Sequence, residues 1–122
     1  MDNMISWFEI PAVDFARAVG FYKGILGVEI HEIDMFGTKM GMMPSDGENV
    51  SGAIVHGDDY KPSADGVTAY LNGGDDLTGV LDKVEANGGT VIVPKTQISE
   101  EMGYFAMFLD SEGNKLGLHS MN

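Results

Sequence analysis

Cysteine is absent from the 122 residues, which excludes disulfide bonds, thiolate metal sites and a cysteine nucleophile and leaves the redox compartment open. Basic residues are scarce. Seven Lys and Arg stand against 19 Asp and Glu, and the formal charge of -12 would repel nucleic-acid phosphates and anionic membrane surfaces. The acids are scattered rather than run together, the pattern of a solvated surface. No apolar run approaches the roughly 18 residues of a membrane span, and Met1-Asp2-Asn3-Met4 is not a basic stretch leading into an apolar one. The expectation is a cytoplasmic protein with no nucleic-acid and no membrane partner. Glycine, by contrast, is plentiful at 17 residues, well above a background of roughly 7%, which favours a turn-rich, strand-rich fold. At this length the chain can bury a core without metal or disulfide support, and residues 1–122 read as a single domain.

Along the chain, an aromatic and β-branched strand at 5–10 is stopped by Pro11. Asp14 caps a helix whose apolar residues Phe15, Ala18, Val19, Tyr22, Ile25 and Leu26 recur at helical spacing, and Gly27 supplies its left-handed terminus. Strands follow at 28–35, 38–43 and 52–56, separated by Phe36-Gly37 and by Pro44-Ser45-Asp46-Gly47. After a polar stretch the order returns. A strand at 67–71 is followed by a helix that Asp75-Asp76 caps, that carries Leu77, Val80, Leu81 and Val84, and that Gly88-Gly89 closes; strands at 90–93, 103–110 and 115–120 complete it. Asp14 to Ile30 overlays Asp76 to Ile92 without a gap, placing Gly27 on Gly89. Two βαβββ repeats, about 4–57 and 66–121, account for this rhythm, and the fold class is α+β.

The runs Ile10-Pro11-Ala12-Val13-Asp14, Ala18-Val19-Gly20-Phe21-Tyr22 and Leu26-Gly27-Val28 resemble the first-repeat signature of the vicinal oxygen chelate superfamily, which includes glyoxalase I, bleomycin-resistance proteins and extradiol dioxygenases. The turn Phe108-Leu109-Asp110-Ser111-Glu112-Gly113-Asn114 resembles the family's last one. This resemblance implies a cupped mixed sheet built from the two repeats, a ligand site in the cup and, commonly, a homodimer. It also implies where a divalent metal would sit in the enzymes: on first-strand and last-strand side chains of each repeat, as His, Gln or Glu. Counting from the matched motifs, those positions fall on Trp7, Thr68, Gly52 and Gly117, none of which is a competent ligand. The expectation is therefore no family-type metal site and no cofactor.

Alternation across the strands sorts the remaining residues. With Trp7 in the cup, Glu9, Thr68, Tyr70, Asn72, Gly117 and His119 share that face, joined by Phe105 or Met107, while Phe8, Ile10, Val67, Ala69, Leu71, Leu116 and Leu118 face the core. An open, water-filled cup would also carry Glu9, Asn72 and His119. Trp7, Tyr70, Phe105 and Met107 point instead to a pocket for a small organic molecule. Glu9 and His119 are the candidate acid/base residues, since a carboxylate beside an imidazole orients the ring; His31 and His56 read as structural or solvated. Met40, Met42 and Met43 form either a soft pocket wall or part of the core. Three functions compete: a metal-free ligand-binding protein, a glyoxalase-type lyase or isomerase with a metal relocated to Glu9, His119 and His56, and a dimeric scaffold.

Overall fold

The computed structural model describes residues 3–35 and 37–122; Met1, Asp2 and Phe36 fall outside them. The first repeat runs β1 (Trp7–Pro11), α1 (Phe15–Leu26), β2 (His31–Met35), β3 (Thr38–Met42) and β4 (Ser51–His56). The second runs β5 (Tyr70–Asn72), α2 (Thr78–Leu81), a 3₁₀ turn (Glu85–Asn87), β6 (Thr90–Ser99), β7 (Gly103–Leu109) and β8 (Lys115–Ser120). Each repeat makes its own four-stranded sheet, ordered β1-β4-β3-β2 and β5-β8-β7-β6, with one parallel pair at the corresponding edge of each. The architecture is the expected α+β pair of βαβββ units.

Local chemistry explains α1. Asp14 accepts a hydrogen bond from the Arg17 backbone N–H at 3.1 Å, and Gly27 takes φ 64, a left-handed conformation that a side chain would strain. Its buried stripe of Ala18, Val19, Phe21, Tyr22 and Ile25 seals the inner face of the first sheet.

Five elements depart from the sequence reading. The second helix is only four residues long before it tightens into the 3₁₀ turn; Gly79 sits in its middle, where glycine disfavours helix. Its left-handed terminus is Gly88 rather than Gly89, whose added Cβ would meet the Phe21 ring. The strand expected at 67–71 pairs only from Tyr70, so alternation does not reach Val67, which is 100% exposed and not in the core. The strand read as ending at Val93 continues to Ser99. Pro94 does not stop it because β6 is a sheet edge with register shifts on both sides of Val93, where a missing N–H goes unnoticed. The strands expected at 5–10 and 28–35 likewise pair only from Trp7 and His31.

The inner faces of both sheets and the helices share one core. Phe21 packs against Phe108 at 6.0 Å between ring centroids, and Ile10, Ile54, Leu71, Leu116 and Leu118 close in around them. The turn after β7 clasps the other repeat. Glu112 Oε1 accepts from the Val13 and Asp14 backbone N–H groups at 2.9 and 2.7 Å, its Oε2 accepts from Arg17 Nε at 2.6 Å, and Asn114 Nδ2 donates to the Pro11 carbonyl at 2.7 Å. Each sheet thus has an inward face that contributes to this core and an outward face turned away from it.

Candidate functional site

The outward face of the second sheet gathers most of the candidate residues. Tyr70 is registered opposite Gly117, Met107 opposite Gly117 on the other side, and Asn72 and Phe105 flank His119. Gly117 has no Cβ because the Tyr70 ring occupies its place; a side chain there would run into that ring. The ring, 53% exposed, is thereby laid flat on the sheet with an open outer surface. Tyr70, Phe105 and His119 line a concavity of about 350 Å³ together with Ile98, and a neighbouring hollow of about 480 Å³ adds Asn72 to Tyr70 and His119. Ile98 escaped sequence reading because it lies beyond Pro94. The Thr96, Ile98 alternation after the proline was the signal available.

His119 Nε2 lies 2.6 Å from the Met102 carbonyl oxygen. A carbonyl only accepts, so Nε2 carries the proton, and Nδ1 is the ring atom left for a ligand. Asn72 Oδ1 accepts from the Gly74 N–H at 2.9 Å, which ties this side chain to its turn and leaves its amide as donor.

Trp7 and Glu9 lie on the outward face of the first sheet, where the exposed Trp7 is registered with Ser51 and Glu9 with Ala53. Glu9 does not meet His119. Its carboxylate stands beside the Tyr60 hydroxyl, and this contact, more than the charge or burial, raises the Tyr60 pKa above its ordinary value. Thr68 precedes β5, half-buried on the rim of a larger cleft of about 880 Å³ between the repeats. Its walls combine core side chains such as Phe8, Leu26, Met43, Leu71 and Val80 with Tyr70 and Asn72 at one end, and they carry no carboxylate, imidazole or basic group. Chemistry therefore favours the smaller concavity at His119.

Strand register corrects the assignment of metal positions. Gly52 lies beneath the Phe8 ring on the inward face, and the outward residue opposite Trp7 is Ser51; in the second repeat Thr68 precedes β5, and the residue opposite Gly117 is Tyr70. Trp7, Ser51, Tyr70 and Gly117 provide no imidazole or carboxylate, so these positions do not fit a divalent metal. The alternative trio does not converge either. His56 Nδ1 is 2.9 Å from the Ala12 carbonyl on the inward side of the first sheet, while Glu9 and His119 belong to different outward faces. Among the described residues no three His, Asp or Glu side chains are grouped to hold a metal ion. Zinc, nickel or manganese at micromolar concentration is expected to leave the melting temperature within about 1 °C of the apo value; a rise of several degrees would mean tight binding to the folded state.

The profile describing the Glyoxalase/Bleomycin resistance protein/Dioxygenase superfamily matches residues 4–118. Among solved structures, TnmS3, an antibiotic binding protein from Streptomyces sp. CB03234, superposes with TM-score 0.68 at 21% identity over 97% of this chain and 95% of that one. A glyoxalase/bleomycin resistance protein from Albidiferax ferrireducens T118 gives TM-score 0.69 at 19% identity, covering 97% and 98%. A V278E mutant of glyoxalase I from Zea mays gives TM-score 0.70 at 15% identity, with 94% of this chain spanning 45% of that one. No curated protein sequence is matched by this chain. No helix among the described residues is long and apolar enough to cross a membrane.

Proposed function

This chain belongs to the Glyoxalase/Bleomycin resistance protein/Dioxygenase superfamily, and we propose that within it the protein binds a small organic molecule without the family metal. The observation that carries the reading is the Tyr70 ring seated on Gly117 beside Phe105, Ile98 and His119. An open aromatic platform with one imidazole at its edge takes a flat, largely apolar ligand and offers it a single directional polar contact. The likeness to an antibiotic binding protein supports the same class of ligand. Trp7 and Glu9 complete the site from a second copy in this proposal. β1 and β5 are both sheet edges, and the apolar cleft between them is rimmed by the exposed Met4, Ile5 and Val50. A homodimer that covers these edges brings the outward face of one first sheet over the partner's second sheet.

Two measurements test the proposal. Light scattering is expected to give twice the chain mass of 13.1 kDa; a particle of chain mass at working concentration would refute the shared site. Trp7 is the chain's only tryptophan. Screening a panel of planar aromatic compounds by its emission is expected to find saturable quenching that Tyr70→Ala weakens by about tenfold, the loss of one aromatic contact of roughly 1.4 kcal/mol. Quenching unaffected by Tyr70→Ala would place the ligand elsewhere.

A further inference from the structure

The structure divides the methionine-rich third strand. Met43 is 8% exposed in the core, whereas Met40 and Met42 are half-buried on the outward face of the first sheet. The face is fixed by Gly41 between them, whose added Cβ would point inward at Ile30, Val19 and Phe15. Across the hairpin, His31 is registered opposite Met42 and Ile33 opposite Met40. With strands about 4.8 Å apart and a two-residue rise of about 6.7 Å, these four residues are the corners of a rectangle whose centre lies about 4 Å from each. That distance suits two flexible thioethers and one imidazole reaching a common point above the sheet. His31 is exposed, and a hollow of about 400 Å³ opens beside it and Met42.

From this juxtaposition we infer that His31, Met40 and Met42 form a binding site for a soft monovalent metal ion, Cu(I) or Ag(I). The donor set decides the ion. Thioether sulfur with imidazole nitrogen selects Cu(I) over Zn(II), Mn(II) or Mg(II), which prefer harder ligands. All three donors are uncharged, so they match an ion of single charge better than a divalent one, and the net charge of -12 draws cations to the surface. Ile33 at the fourth corner keeps that side of the site apolar. The inference uses none of the residues of the organic-ligand reading: β3 and β2 stand at the opposite end of the first sheet from the β1 edge that carries Trp7 and Glu9.

The test uses Ag(I), which needs no redox control, titrated into full-length protein carrying ¹³C-methyl methionine. One equivalent is expected to shift the Met40 and Met42 methyl signals and the His31 imidazole, leaving the exposed Met35, Met102 and Met121 in place. Loss of one donor in Met42→Leu or His31→Asn should weaken binding roughly tenfold or more, while Met35→Leu leaves it unchanged. Both altered positions lie outside the core, and circular dichroism verifies the fold of each variant. Repeating the affinity measurement with Cu(I) against a chromophoric chelator should reproduce the order. Parallel shifts at all exposed methionines, affinity retained in both donor variants, or equal displacement by Zn(II) would each overturn the site.

Discussion

Asp110→Ala is expected to lower the stability of the folded protein by about 3–5 kcal/mol, because it strands several buried donors at once. Asp110 is 4% exposed and its carboxylate is saturated: Oδ2 accepts from the Tyr22 hydroxyl at 2.7 Å and from Asn114 Nδ2 at 3.0 Å, and Oδ1 accepts from the Glu112 and Asn114 backbone N–H groups at 2.8 and 2.9 Å. Tyr22 comes from α1 and Asp110 from the turn after β7, so the bond joins the repeats in the middle of their shared core. Alanine removes the acceptor without offering water in its place, since Tyr22 is fully buried against Phe21 at 4.9 Å. Tyr22→Phe is the milder counterpart. It removes one donor and leaves the carboxylate its other three partners, for a loss of about 1–2 kcal/mol. Urea denaturation of both variants decides the matter, and an Asp110→Ala loss no larger than that of Tyr22→Phe would show that the turn acts only locally.

The same bond has a signature in alkali. Burial first, then the charge and hydrogen bond of Asp110, push the Tyr22 hydroxyl well above its ordinary range. The folded-state value therefore exceeds the unfolded one. The contribution is complete below the unfolded value near pH 10 and is lost as pH rises from there through the folded value. The stability of the parent protein relative to Tyr22→Phe should be constant from pH 6 to about 9 and fall above about 10. A flat difference across that range would place Tyr22 in contact with water.

Sequence reading found what is encoded locally and faltered where tertiary setting overrides a local rule. Asp14 and Gly27 mark α1 because a cap and a left-handed terminus need no distant partner. β8 was legible from end to end, since Leu116 and Leu118 alternate with Gly117 and His119 without interruption. Pro94 misled because a proline ends an interior strand but not an edge, and edge status is a property of the whole sheet. The second helix misled because Leu77, Val80, Leu81 and Val84 have helical spacing, yet they serve a short α2 and a 3₁₀ turn equally well. Gly52 and Gly117 were read as equivalent outward positions. In the structure each accommodates an aromatic ring from the neighbouring strand, Phe8 inward in one repeat and Tyr70 outward in the other. A one-residue difference in register reverses the face, and no single-chain pattern prints it. The function of a glycine as a seat for a ring is invisible until the strand beside it is known.

That reversal makes β1 the place where the proposed site is most exposed to disproof. Phe8→Ala is expected to cost about 2–4 kcal/mol and Trp7→Ala less than about 1 kcal/mol, although tryptophan is the larger side chain. Phe8 is half-buried, packs against the core and covers Gly52, so its removal opens a void beside the apolar cleft between the repeats. Trp7 is 39% exposed and lies on the face away from that core. Its loss removes surface that a ligand or second copy would cover and leaves the helix packing untouched. Denaturation should therefore be measured at low protein concentration, where dissociation of the proposed dimer does not add a concentration-dependent term to the Trp7 result. At that concentration the order Phe8 above Trp7 follows from the alternation of one strand, and the same alternation assigns Glu9 to the outward face and Ile10 to the core. A Trp7→Ala loss equal to the Phe8→Ala loss would mean that both faces of β1 are packed within one chain, leaving no open first-sheet face for a partner's ligand to meet.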